Sequence, residues 1–168
     1  MRQGRGSSQT MLRIGQKAPE FSLPDTEGRQ RSLGEFVGQA VALLAFFPFA
    51  FSGVCDREMC VLRDGFGELS APTTRVVGIS VDSVFTLKTF AQTYNLQFPL
   101  LSDFNRRVTK LYGVLQEPWV GFDYEGVAKR SIFLVDRKGS LRYKWVTDTP
   151  SNEPPYDEVS EAAAKLKG

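Results

Sequence analysis

The stretch VALLAFFPFAFSGVCDREMCVLRDGFGEL, residues 41–69, decides the fold. Its first residues, 41–47, form an unbroken apolar run, the length of a strand buried on both faces and short for a helix. Pro48 ends the run, because proline has no N–H to give to a ladder. After a short loop, Ser52 is placed to cap a helix. Beyond it Cys55, Met59, Leu62, Phe66 and Leu69 recur at spacings of four, three, four and three, which is one apolar face of a helix. The stretch reads as strand, tight loop, helix.

Its chemistry lies in Cys55 and Cys60, the two cysteines of the chain. With Ser52 as N-cap, Cys55 is the third helical residue, among unpaired backbone N–H groups at the positive end of the macrodipole. A helix start and a cationic neighbour lower a thiol from its ordinary pKa of ~8.5. Two readings of Cys55 stand open on spacing alone: a reactive thiolate, or an inert buried thiol on a core stripe.

Cys60 bears on the choice. In an ideal helix, residues five apart have Cα atoms about 8–9 Å apart and point about 140° away from each other. A disulfide wants Cα atoms within about 7 Å. The spacing argues against a static disulfide and leaves open one formed during turnover, with the first turns of the helix unwound. A zinc site is a weaker reading still, since the chain has no histidine and no third cysteine and only carboxylates are left to complete four ligands. The CxxC redox motif is also absent.

Composition bounds the rest. A chain of 168 residues that is 42% hydrophobic and 24% charged is long enough for one real core. A net charge of +2, with no basic stripe interleaved with aromatics, argues against a nucleic-acid partner. No run of about 18 apolar residues exists, which argues against a transmembrane helix. The polar start MRQGRGSSQT has no apolar core of a secretion signal, and Met11 is a candidate alternative start. Residues 1–12 are expected to form a disordered extension, and 13–168 a single domain. Two cysteines without a secretion signal fit a reducing cytoplasm, where such a pair is more often catalytic than structural.

Other elements follow from period and punctuation. Residues 21–33 read as a hairpin around Asp25 to Gly28. Residues 75–81 (RVVGISV) read as a second buried strand, and 83–94 as an amphipathic helix with Val84, Leu87, Ala91 and Tyr94 on its face. This is a βαβ unit, so the two strands run parallel. A short strand or turn at 99–103 and a short helix at 106–113 come next. Residues 114–129 lack periodicity and read as a loop, whose Trp119, Phe122 and Tyr124 either wall a pocket or anchor the loop. Residues 131–136 and 141–147 flank a turn from Asp136 to Gly139 and form an antiparallel hairpin. After the breaker run NEPP, a helix from Tyr156 to Lys167 turns Val159, Ala163 and Leu166 inward.

The order β-α-β-α then β-β-α, with a thiol at the start of the first core helix, resembles the thioredoxin-like fold: α/β, a mixed central sheet flanked by helices, here with an added N-terminal hairpin. Pro48, Ser52 and Cys55 match the peroxiredoxin motif P-x-x-x-[TS]-x-x-C. Arg130, just before the strand SIFLVD, matches the arginine that this family places beside its peroxidatic cysteine. The resemblance runs from about Gly15 to the C-terminal helix. Cys60, five residues after Cys55, and Glu58, three after it, resemble the bacterioferritin comigratory protein (PrxQ) branch, whose resolving cysteine lies on the same helix. The segments FFPFAFSGVC and FPLLSDF are instead similar to the alkyl hydroperoxide reductase E type, many of whose members act with one cysteine.

The resemblance implies a thiol-dependent peroxidase without cofactor or metal. Arg130 and the helix start would hold Cys55 as thiolate, Ser52 and the Cys55 N–H would orient a hydroperoxide, and Pro48 would shield the oxidised sulfur. Cys60 would then form an intramolecular disulfide, reduced by thioredoxin or a glutaredoxin-like protein. A monomer or weak homodimer is expected. Glu58 is either a first-turn residue favoured by the macrodipole or a group that orients an arginine. The alternatives are a one-cysteine peroxidase resolved by an external thiol and a non-enzymatic redox sensor. A thioredoxin-type oxidoreductase would want a CxxC and a proline where Lys129 and Arg130 stand.

Overall fold

In the computed structural model, which describes residues 11–66, 73–116, 118 and 124–166, the expected first hairpin pairs β1 (Ser22–Pro24) with β2 (Gln30–Ser32). Asp25 builds its turn: Oδ1 accepts the backbone N–H groups of Glu27 and Arg29 at 2.9 and 3.0 Å, and Gly28 takes a φ of 77° that costs other residues strain. The chain then makes a five-residue helix, α1 (Leu33–Val37), with Leu33 and Phe36 buried. The sequence reading has no helix there, because so short a segment carries no period to read. What sustains it is a capping box, in which Glu35 accepts the backbone N–H of Ser32 over 2.9 Å.

The core continues through β3 (Val41–Phe46), α2 (Val54–Phe66), β4 (Thr74–Ser80), α3 (Val84–Tyr94), β5 (Leu100–Ser102) and α4 (Arg107–Leu111). It ends with β6 (Leu115–Gln116), β7 (Val127–Ala128), β8 (Ser131–Val135), β9 (Leu141–Val146) and α5 (Tyr156–Lys165). Five strands form one sheet in the order β5-β4-β3-β8-β9. β3, β4 and β5 run parallel, as the βαβ reading requires, while β8 is antiparallel to β3 and β9 to β8. The sheet is therefore mixed and its middle strand is β3.

That position explains the apolar run. All six residues of β3 are buried, and they alternate between two cores. Ala42, Leu44 and Phe46 join the first hairpin, α1 and Tyr112 on one face, whereas Val41, Leu43 and Ala45 meet Met59 and Leu62 of α2, Leu87 and Phe90 of α3, and Val159 and Ala163 of α5 on the other. Truncating one of the large members, such as Leu62, costs about 2–5 kcal/mol. Gly78 of β4 sits in a tight part of this core: a Cβ there would come within 2.6 Å of Leu100 Cδ2 and 3.3 Å of Phe47 Cε1, so those side chains would have to shift to admit one.

Several expectations shift. The segment 114–129 is not wholly loop, since β6 and β7 at its ends pair antiparallel. Two-residue strands leave no alternation to detect. Tyr124 is exposed and meets Phe49 edge to face at 5.7 Å, while Trp119 and Phe122 lie outside the described residues, as does Leu69. On α3 the buried pair is Leu87 and Phe90, with Val84 half-buried. The core takes in Leu12, one residue before the expected boundary at 13; residues 1–10 of the expected extension lie outside the described residues. No helix among the described residues is long and apolar enough to cross a membrane.

Candidate active site

The loop between β3 and α2 is held from two sides. Pro48 is buried in it, and the backbone N–H of Ala50 donates to Asp82 Oδ2 over 2.9 Å, which also accepts from Ser80 Oγ at 2.7 Å. Phe51 and Gly53 both have positive φ, 66° and 81°. The backbone thus turns sharply before the helix, a strained conformation for Phe51 and an easy one for Gly53.

The helix starts one residue later than Ser52 implies. The first helical hydrogen bond runs from the Arg57 N–H to the Gly53 carbonyl, so Gly53 occupies the cap and Cys55 is the second residue of α2, not the third. The Ser52 hydroxyl donates to the Phe49 carbonyl over 2.8 Å and also stands within reach of the Cys55 sulfur. Cys55 remains in the first turn, among unpaired N–H groups.

Arg130 brings the site together. It precedes β8, the strand paired with β3, so its side chain reaches the start of α2 from across the sheet. Its Nη2 donates to Cys55 Sγ over 3.2 Å and its Nη1 to Glu58 Oε2 over 3.1 Å. Its Nη2 and Nε also reach the Pro150 carbonyl at 2.8 and 3.2 Å. All three side chains are buried: Cys55 and Glu58 are 0% exposed and Arg130 2%. Sequence reasoning finds Arg130 and Cys55 but not Pro150, which lies between the strand read at 141–147 and the breaker run NEPP and carries no signal of its own. It leaves Glu58 between two roles; the geometry makes it the buried partner of Arg130.

The electrostatics correct one expectation. Burial pushes the Cys55 thiol up from its ordinary value, and the nearby Glu58 carboxylate adds to this, against the pull of Arg130, Ser52 and the Phe49 backbone. The helix start and the cation are in place, but the sulfur is sealed from water and shares its arginine. Burial likewise pushes Glu58 up to about 7, although Arg130 opposes it. A cavity of about 330 Å³ opens beside Arg130, walled by Ser52, Val54 and residues 148–151. It is large enough for a small peroxide with an organic tail.

Cys60 sits elsewhere. It is half-buried, on the same unbroken helix, and both cysteines are free thiols. Its neighbours are Arg63 and Tyr94 rather than Arg130. The helix that presents Cys55 therefore keeps Cys60 away from it.

A buried thiol held by an arginine at the first turn of a helix, in a mixed sheet of this order, agrees with what the chain is similar to. The AhpC/TSA family pattern matches residues 14–144. Peroxiredoxin Bcp of Escherichia coli is 40% identical over 133 residues, 79% of this chain and 84% of that protein. Alkyl hydroperoxide reductase E of Mycobacterium bovis is 38% identical over 135 residues, 79% of this chain and 84% of that one. Among solved structures, a peroxiredoxin-like protein from Aquifex aeolicus superposes with a TM-score of 0.84 at 25% identity, covering 94% of this chain and 89% of its own. The chain belongs to the AhpC/TSA family and has its thioredoxin-like fold. It is a thiol-dependent peroxidase of the Bcp type, acting on hydroperoxides.

Proposed function

We propose that Cys55 is the thiol that reduces the peroxide and that Cys60 resolves it. The observation that carries the first half is the Arg130 hydrogen bond to Cys55 Sγ. A guanidinium at that distance stabilises the sulfur as an anion and meets the negative charge that develops on the peroxide oxygens. The thiolate attacks the terminal oxygen of the hydroperoxide, the O–O bond breaks, and sulfur supplies two electrons. Cys55 becomes a sulfenic acid, and the departing oxygen takes a proton as water or an alcohol. Ser52 and the first-turn N–H groups line the approach, and Pro48 keeps bulk water from the oxidised sulfur.

Resolution requires movement. The first turns of α2 unwind, the Cys60 thiol condenses with the sulfenic acid, and one water leaves as the disulfide forms. A dithiol protein of the thioredoxin or glutaredoxin-like type then reduces that disulfide by exchange, in a reducing cytoplasm. The presence of Cys60 on the same helix favours this route over resolution by an external thiol.

Cys60→Ser tests the assignment. It is expected to reduce one peroxide equivalent, to form no intramolecular disulfide by non-reducing mass spectrometry, and to accumulate over-oxidised Cys55 on repeated exposure. Peroxide-dependent NADPH oxidation through thioredoxin and its reductase should collapse. Turnover at the parent rate would remove Cys60 from the mechanism.

A further inference from the structure

Around Arg130 the structure sets one cation between two groups that can each become an anion. The guanidinium donates from Nη1 to Glu58 and from Nη2 to Cys55, and its other contacts go to the Pro150 carbonyl, which is neutral. Neither Cys55 nor Glu58 is exposed to water. Glu58 Oε1 has no hydrogen-bond partner among the described residues, an awkward state for a carboxylate oxygen. If both groups ionised, the enclosed cluster would carry a net negative charge with no solvent to offset it.

The other charged and titratable groups do not relieve this. On α2, Arg57 points its charge to Glu153 over 3.1 Å, an ion pair at the surface. Glu153, before α5, is itself a negative charge acting on Glu58, and it accepts the Tyr156 hydroxyl at 2.8 Å. Tyr156 of α5 is neutral, its ionisation held far above neutrality by burial and that hydrogen bond. Arg130 is thus the sole buried cation this cluster has among the described residues.

We propose that Cys55 and Glu58 share a single proton around Arg130, so that the Cys55 thiolate forms with Glu58 held as the neutral acid. The exchange conserves charge: thiol plus carboxylate becomes thiolate plus carboxylic acid, and Arg130 faces one anion in either state. Glu58 acts through Arg130 and is a positioning residue for charge. Two coupled groups of this kind titrate as a pair, in two steps that belong to neither alone. The upward pressure on both groups agrees with the sharing. The inference rests on Cys55 as the reactive thiol and adds the partner that sets its protonation.

Glu58→Gln is the discriminating variant, because the amide can still accept from Arg130 but cannot ionise. On the full chain, the pH dependence of Cys55 alkylation by iodoacetamide is followed by mass spectrometry, which separates Cys55 from Cys60. The Cys55 midpoint should fall by about one pH unit in Glu58→Gln, a tenfold change in acidity. A midpoint that stays or rises would mean that Glu58 only orients Arg130, and would overturn the proposal. Cys55→Ser supplies the reciprocal arm and covers a Gln variant that fails to fold. With no competing thiolate, the infrared carbonyl band of protonated Glu58 should disappear at lower pH than in the parent; an unmoved band overturns the sharing. Peroxidase turnover in Cys55→Ser separates the two claims, since retained turnover would sink the assignment of Cys55 itself and loss of turnover leaves the proton question to the two titrations.

Discussion

Tyr94 Oη donates to Asp56 Oδ2 over 2.6 Å, tying the last residue of α3 to the first turn of the helix that carries both cysteines. Arg63 Nη1 returns from further along α2 to the Tyr94 carbonyl, also at 2.6 Å. The end of α3 thus clamps α2 at two points on either side of Cys60. Bringing Cys60 to Cys55 means breaking the clamp at Asp56. Tyr94→Phe removes that bond alone, and the amides of residues 54–60 are expected to exchange with solvent about fivefold faster. Hydrogen exchange read by mass spectrometry checks this, and protection equal to the parent would show that the clamp does not govern the opening.

Arg130 is not replaceable by another cation. A lysine ammonium keeps the charge but loses the planar fork, and cannot serve Cys55, Glu58 and the Pro150 carbonyl together. In Arg130→Lys, kcat/KM for hydrogen peroxide should fall by about 100-fold with the far-ultraviolet spectrum unchanged. Arg130→Met goes further, leaving the one buried anion of the Cys55–Glu58 pair without its partner. Urea unfolding at neutral pH should show a loss of about 3–5 kcal/mol, and an unaltered midpoint would contradict the pairing.

The Glu58 carboxyl also gives stability a pH dependence of definite sign. Its pKa is raised on folding from 4.5 to about 7, so between these values the native protein holds a proton that the unfolded chain has released. Native stability is therefore lost as pH rises through that window and stays lower above it. At ~1.4 kcal/mol for each pH unit, the displacement amounts to roughly 3 kcal/mol. The Glu58→Gln variant lacks this loss, so its stability relative to the parent should be greater at pH 8 than at about pH 4.5. Urea unfolding of both proteins at the two pH values tests the sign; an equal difference at both would contradict it.

The sequence already carries the frame of this site. An apolar run between Val41 and Phe47 has the length of a strand buried on both faces and is short for a helix, and a strand so buried belongs at the middle of a sheet. The spacing of Cys55, Met59 and Leu62 sets which face of α2 turns inward, and all three are buried. Ser83 marks the start of α3, where its hydroxyl accepts the Thr86 N–H. What sequence does not carry is the environment of the sulfur. A helix start and an arginine read as a lowered thiol pKa, but the pKa also depends on burial and on the carboxylate that shares Arg130, and both arise from packing across β3 and β8. Gly53 rather than Ser52 caps α2 because the loop enters the helix through positive φ, which no local preference of serine reveals. The Pro150 carbonyl is a backbone group, and residue identity says nothing of where it points.

The central claim is that Cys55 is the sulfur that meets the peroxide. The direct measurement is single-turnover reduction of hydrogen peroxide by Cys55→Ser, by Cys60→Ser and by the parent, with each cysteine's oxidation state followed by mass spectrometry. Cys55→Ser should consume no peroxide beyond the uncatalysed rate and leave Cys60 reduced, while Cys60→Ser should consume one equivalent and carry the added oxygen on Cys55. Peroxide consumption by Cys55→Ser at the parent rate, or a first oxidation found on Cys60, would contradict the account.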